Sequence, residues 1–199
     1  KGVNFHLTLV LTCPKLYGQA LALFLPIYTK FESLVLESNH PELKKLNNLV
    51  SLLRRGKAMA KDVDHFLPES SERMETQAQR DYIAHLENSV KKNPVLLTAY
   101  VYHMYAALVA GGQIIARMVR NTVGGTTFAF QFPATDEFKY PKSYLRKLTH
   151  VLNEEMNFSG EEEKELLKES TQVFVLNNAL VDSVKETKAW RHASTRMWN

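Results

Sequence analysis

From Leu16 to Leu36 apolar residues recur at the three-to-four-residue spacing of an α-helix, at Ala20, Phe24, Ile27, Tyr28, Phe31 and Leu34. Asn39-His40-Pro41 supplies a stop, because a proline ring disfavours helical backbone in the residue before it. Pro41 and Glu42 predict a second helix through Leu53, with Leu43, Leu46, Leu49, Val50 and Leu53 on one face. Arg54-Arg55-Gly56-Lys57 breaks that face. Ala58 to Leu67 predicts a short helix closed by Pro68, and Ser71 to Asn88 a polar helix whose apolar contacts are Tyr82, Ile83 and Leu86.

Asn93-Pro94 opens the most apolar stretch, Val95 to Arg120, a helix interrupted by Gly111-Gly112. Thr127 to Pro133 alternates like a strand, yet no second strand signal lies near it, so it reads as an extended loop with aromatic anchors. Lys142 to Glu155 is helical, and Ser159 with Glu162 three residues on forms a capping box for a last long helix through Leu166, Val173, Phe174, Asn177 and Leu180. Six to eight helices joined by short turns, with no repeat and no linker, predict one all-α domain over residues 1–199.

Composition narrows the chemistry. The 199 residues are 45% hydrophobic and 23% charged, with only 8 Gly and 7 Pro, which is globular and leaves little room for a many-turned β fold. Cys13 is the only cysteine, so no intrachain disulfide forms and a reducing compartment is favoured. A net charge of +4 is too small to argue for nucleic acid, and no basic–aromatic interleaving is present. A small basic excess does suit a ligand carrying a few carboxylates. No uncharged run of about 18 apolar residues occurs, so no membrane span is expected. The chain opens on Lys1 inside an amphipathic pattern, which reads as a piece missing upstream, and a tail beyond Asn199 is the one route to a membrane. Phosphate loops, zinc spacings and nucleophile elbows are absent from the sequence.

The glycine pair is the sharpest local signal. Two adjacent glycines inside a helix cost roughly 1 kcal/mol each relative to alanine, and such a pair serves a kink, tight helix packing, or close approach of a flat ligand to the backbone. Ala106, Ala107 and Ala110 surround it. Taken in order, Asn93-Pro94, a tyrosine-rich helix, Ala110-Gly111-Gly112-Gln113, Phe128-Ala-Phe-Gln-Phe-Pro133, Lys142 with Arg146, and Phe174-Val-Leu-Asn177 resemble the heme oxygenase family over nearly the whole chain.

That resemblance implies a multi-helix bundle with a kinked distal helix, holding heme between it and a proximal helix that carries a histidine ligand. The implied activity is oxidative cleavage of heme to biliverdin, carbon monoxide and iron, with electrons from a reductase. Lys142 and Arg146 match the basic pair at the heme propionates, and at i, i+4 they share a helix face; a solvated basic face is the plain alternative. Tyr102 matches a tyrosine near the propionates. Phe174 matches an aromatic packed on the macrocycle, where ordinary core is the plain alternative. Tyr28 and Asn177 match two members of the distal polar network that serves catalysis.

The sequence also departs from the family. The signature Gly-Asp-Leu-Ser-Gly-Gly-Gln keeps Gly111, Gly112 and Gln113, but Ala107 replaces its first glycine, Leu108 its aspartate and Ala110 its serine. Met104 stands where an arginine is found one turn earlier. Leucine holds no water and accepts no hydrogen bond, so regiospecific turnover is expected to be impaired, and a non-catalytic protein binding heme or biliverdin is the rival reading. The proximal histidine falls upstream of Lys1. His6 is the nearest candidate metal ligand, with a surface or packing role as its default. His103 or Met104 could meet iron from the distal side, although a surface-facing His103 and a pocket-lining Met104 are the simpler expectations. A di-iron carboxylate bundle would need two Glu-x-x-His pairs, and Glu37-Ser-Asn-His40 is the only one. The expected protein is a monomer, in the cytoplasm or on the cytoplasmic face of the endoplasmic reticulum, with no nucleic-acid partner.

Overall fold

A computed structural model describes residues 10–68, 73–124 and 127–197. Helix α1 (Pro14–Glu37) is the central rod, with α3 (Asn47–Leu53), α4 (Gly56–Phe66), α5 (Gln77–Lys92) and α6 (Leu97–Ala110) packed around it. By length and mean apolarity α1 reaches the range of a membrane span, although Lys15 and Lys30 interrupt it; Leu16, Leu23, Ile27, Phe31 and Val35 are all fully buried against the rest of the fold. Burial runs around most of its circumference, and Ala20, Phe24 and Leu34 of the predicted face are only half-buried.

Proline inside α1 has a specific remedy. Pro26 has no N–H to give to the carbonyl of Ala22, four residues back. The buried side chain of Gln79, on α5, reaches across and donates Nε2–H to that carbonyl (3.3 Å) and to that of Leu23 (2.8 Å). The helix therefore runs through its proline without an unsatisfied acceptor there.

The predicted second helix is two pieces, α2 (Pro41–Lys44) and α3, parted at Lys45-Leu46. The Arg54–Lys57 break is real but short, because Gly56 already begins α4. Neither Arg55 nor any neighbour in sequence caps α4. Its cap comes from α1: the buried carboxylate of Glu32 accepts the N–H of Arg55 (2.7 Å) and of Gly56 (3.4 Å), and also the hydroxyl of Tyr105 on α6 (3.1 Å). One carboxylate thus satisfies a helix start and ties three helices together.

Helix α5 begins at Gln77, capped by Thr76, which is later than the predicted Ser71; Ser71 itself lies outside the described residues. After a 3₁₀ turn at Pro94–Leu96, α6 and α7 (Gly112–Thr122) form the interrupted helix, bent by 47° at Gly111. The following loop is not fully extended: Phe128–Phe130 makes a 3₁₀ turn, pinned where the Asp62 carboxylate accepts the N–H groups of Phe128 (3.0 Å) and Ala129 (2.8 Å). Arg55 holds the end of the same loop through the Gln131 carbonyl, with its guanidinium 5.0 Å over the Phe132 ring.

Helix α8 (Pro141–His150) ends in a π turn at Val151–Glu155 rather than continuing as α-helix. The capping box forms as expected: Ser159 Oγ accepts Glu162 N–H at 3.3 Å and Glu162 Oε2 accepts Ser159 N–H at 2.8 Å. It starts α9 (Gly160–Ser183), which packs along α6 and α5; α10 (Lys188–Met197) closes against α1. Among the described residues no strand is present, and the elements form one helical unit.

Candidate functional site

Helix α6 is buried on most sides, through Val101, Met104, Tyr105, Leu108 and Val109. Its remaining face carries Tyr102, His103, Ala106, Ala107 and Ala110, at spacings of one, three and four, and these are exposed or half-exposed. A helix this apolar leaves a stripe of alanines uncovered. Gly111, just past its end, extends the stripe.

The two glycines do different work. A methyl group built on Gly111 would meet only the carbonyl of Ala107 in its own chain turn, tightly at 3.2 Å, and no side chain of another element. One built on Gly112 would lie 2.7 Å from Cδ1 of Phe130. Gly112 therefore does not share the open face, as the sequence reading placed it; its missing side chain is filled by the pinned 127–133 loop. Gly112→Ala must displace a buried ring and is expected to destabilise the fold by about 1–3 kcal/mol from overpacking, partly offset by better helix propensity. Gly111→Ala, which has only the Ala107 carbonyl to ease, is expected to change stability by no more than about 1 kcal/mol, the gain in helix propensity set against that contact. Urea unfolding of the two variants checks the difference, and equal effects would contradict this division of labour.

At the C-terminal end of the stripe, Val109 and Ala110 face Lys142, Leu145, Arg146 and Thr149 of α8 across a cavity of 670 Å³. Lys142 and Arg146 are exposed, and within the described residues neither has a hydrogen bond or ion pair. Two uncommitted cations one turn apart at the rim of an apolar cavity suit a ligand with carboxylates at one end. At the other end stands Phe174 of α9, 55% exposed and therefore not core, its ring centroid 4.8 Å from that of His103. Tyr102 is half-buried beside them, its ring 5.1 Å from His103. The geometry fits a flat apolar body with an acidic edge.

Behind the stripe sits Met104, fully inside rather than lining the open face. Tyr28 donates its hydroxyl to the Met104 carbonyl (3.1 Å), and Asn177 points Nδ2 at the Met104 sulfur (3.5 Å). Tyr82 Oη lies 3.1 Å from Asn177 Oδ1 and 3.7 Å from the same sulfur. Tyr28 and Asn177 thus converge on Met104 without bonding each other. Burial pushes the Tyr28 and Tyr82 hydroxyls well above the ordinary phenol pKa, so both stay neutral. Leu108, one turn after Met104, is buried beside them and adds no polar atom.

Sequence reasoning took Tyr82 for an apolar contact; a tyrosine on the buried side of a polar helix was the available hint, since such hydroxyls find partners. It also missed Glu169, a buried carboxylate on which His85 (2.8 Å), Ser89 (3.0 Å) and the Tyr100 hydroxyl converge. No hydrophobic pattern announces that cluster. His6 lies outside the described residues. His40 accepts Glu42 N–H at Nδ1 and so begins α2, and among the described residues no group of three or more His, Cys, Asp or Glu side chains is placed to hold a metal ion. The di-iron reading has no ligand set there.

Comparison with known proteins agrees with this architecture. A curated heme oxygenase from Porphyra purpurea is 24% identical over 181 residues, covering 87% of this chain and 74% of the relative. The solved structure of heme oxygenase 2 from Chlamydomonas reinhardtii, without heme, superposes with a TM-score of 0.83 at 25% identity, covering 92% of this chain and 88% of that one. Heme oxygenase-1 from the cyanobacterium Synechocystis, solved in complex with heme, shares the fold with a TM-score of 0.82 at 18% identity, covering 96% and 87%. The heme oxygenase family profile matches residues 11–183, nearly the full length, and the chain belongs to the heme oxygenase family.

Proposed function

We propose that this protein binds heme against the Ala107–Ala110–Gly111 stripe, with the propionates toward Lys142 and Arg146 and one face near Phe174, and that it cleaves heme slowly. The observation that carries the reading is the pair of cations, uncommitted among the described residues, beside an open stripe of small residues. Family membership supports heme as the ligand, and the Synechocystis relative is a heme complex. Bound heme would supply the redox chemistry, dioxygen the oxygen atoms, an external reductase or ascorbate the electrons, and the products would be biliverdin, carbon monoxide, iron and water.

This chain's residues hold and orient more readily than they deliver protons. The Tyr28 hydroxyl is committed to a backbone carbonyl, and the Asn177 amide faces a thioether. Tyr82 is neutral and occupied. Among the groups gathered on Met104 there is no carboxylate, and the aspartate position is Leu108. Glu32 and Glu169 both lie on the inner side, bonded by Tyr105 and Tyr100. General acid catalysis needs a donor within reach of the reacting group, directly or through one water, and the groups gathered on Met104 offer none that is uncommitted. The same observation favours a second reading, a protein that holds heme or biliverdin without turnover.

Titration of ferric heme tests the binding claim. Exposed ion pairs contribute about 1 kcal/mol each at most, so Lys142→Ala with Arg146→Ala is expected to raise Kd by roughly tenfold to thirtyfold, less at high salt. An unchanged Kd would remove the propionate assignment. Incubation of the heme-loaded protein with ascorbate or a reductase, followed by absorbance, separates the two readings: a slowly growing biliverdin band supports turnover, and its persistent absence supports the holding role.

A further inference from the structure

The same wall offers heme iron a ligand of its own. We propose that His103 binds the iron from the α6 side, as an axial nitrogen donor supplied by the helix against which the macrocycle lies. The proposal rests on heme occupying this face.

Three observations converge on it. His103 lies one helical turn before Ala107, so its side chain shares the open stripe with the alanines and Gly111. Its ring is held edge-on between Tyr102 and Phe174, at 5.1 and 4.8 Å, and Phe174 is the exposed aromatic at the end of that wall. Its two ring nitrogens have no hydrogen-bond or ion-pair partner among the described residues.

The alternatives within reach are poorer. Met104, the neighbouring residue with a soft donor atom, is turned inward and its sulfur is engaged by Tyr82 and Asn177. His40 and His85 are bonded elsewhere, to Glu42 and Glu169, and His65 lies on α4 against Phe66. Alanine at positions 107 and 110 leaves room beside His103 that larger side chains would fill. An imidazole bound to the iron from this side would compete with oxygen for it.

The test uses the whole chain loaded with ferric heme and reads electronic absorption and electron paramagnetic resonance. Wild-type protein and His65→Ala are expected to show a low-spin, nitrogen-ligated spectrum. In His103→Ala and His103→Gln that low-spin signal should fall at least fivefold, with heme still bound and circular dichroism unchanged, and added imidazole should restore it in the alanine variant. Heme bound with the same spectrum in wild type and both His103 variants would overturn the ligand assignment while leaving the proposed binding face intact. Failure of the wild-type protein to bind heme at all would instead defeat the binding reading, and this proposal with it.

Discussion

Glu32→Ala is expected to lower the unfolding midpoint by about 8–16 °C, the consequence of losing about 4 kcal/mol in a chain of this size. The loss has identifiable parts. The N–H groups of Arg55 and Gly56 and the hydroxyl of Tyr105 all spend their bonds on this one carboxylate. Each buried donor left without an acceptor costs about 1–3 kcal/mol, and α4 loses the acceptor at its first turn. The offset is the relief of burying a charge, visible in a Glu32 pKa raised chiefly by burial and held back by its hydrogen bonds.

That raised value also sets a pH dependence. The unfolded chain releases the Glu32 proton at a lower pH than the folded one, so the contribution to stability is fully present below the ordinary carboxylate pKa and declines as pH rises through the folded value. Glu32→Gln keeps one acceptor oxygen but turns an amide toward Gly56 N–H, so it should lose about half as much as alanine and lack this acid-range decline. Urea melts across the acid range measure both effects. A Glu32→Ala melt within about 2 °C of wild type, well under the loss of one buried hydrogen bond, would show that the carboxylate is not the clasp described.

The particular residues explain what was legible beforehand. Helix α1, the Ser159–Glu162 box and the bend at the glycine pair follow from spacing and local chemistry, which act within a few residues and so are written in order along the chain. The start of α4 was not legible, because its cap sits 23 residues upstream on another helix. The same holds for Gln79 mending the Pro26 gap and for Asp62 shaping the 127–133 loop: each is a side chain satisfying backbone far away in sequence. At the site, the stripe and the α8 cations were readable as a pattern. The separate fates of Gly111 and Gly112 were not, since only the packed position of Phe130 distinguishes two adjacent identical residues.

The second large effect concerns the two substituted polar positions. Leu108→Asp alone should be strongly destabilising, by about 3–5 kcal/mol, because it places an uncompensated charge at a buried position among apolar neighbours. Met104→Arg alone should also destabilise, since position 104 is equally enclosed and the Tyr82 and Asn177 contacts to sulfur would be lost. Positions 104 and 108 lie one turn apart on the inner side of α6, so the introduced charges can pair. The double variant should therefore be more stable than the sum of the single losses predicts, by about 1–3 kcal/mol of coupling. With Ala107→Gly removing the outward methyl, the triple variant is expected to form biliverdin from bound heme faster than wild type. Additive losses in the double-mutant cycle would mean that 104 and 108 do not meet across the turn. Strong coupling with no gain in biliverdin would place the block elsewhere, and the axial ligation proposed for His103 then makes His103→Ala in the triple background the decisive addition: if oxygen is kept out by that imidazole, its removal should release the turnover that a restored polar pair alone does not.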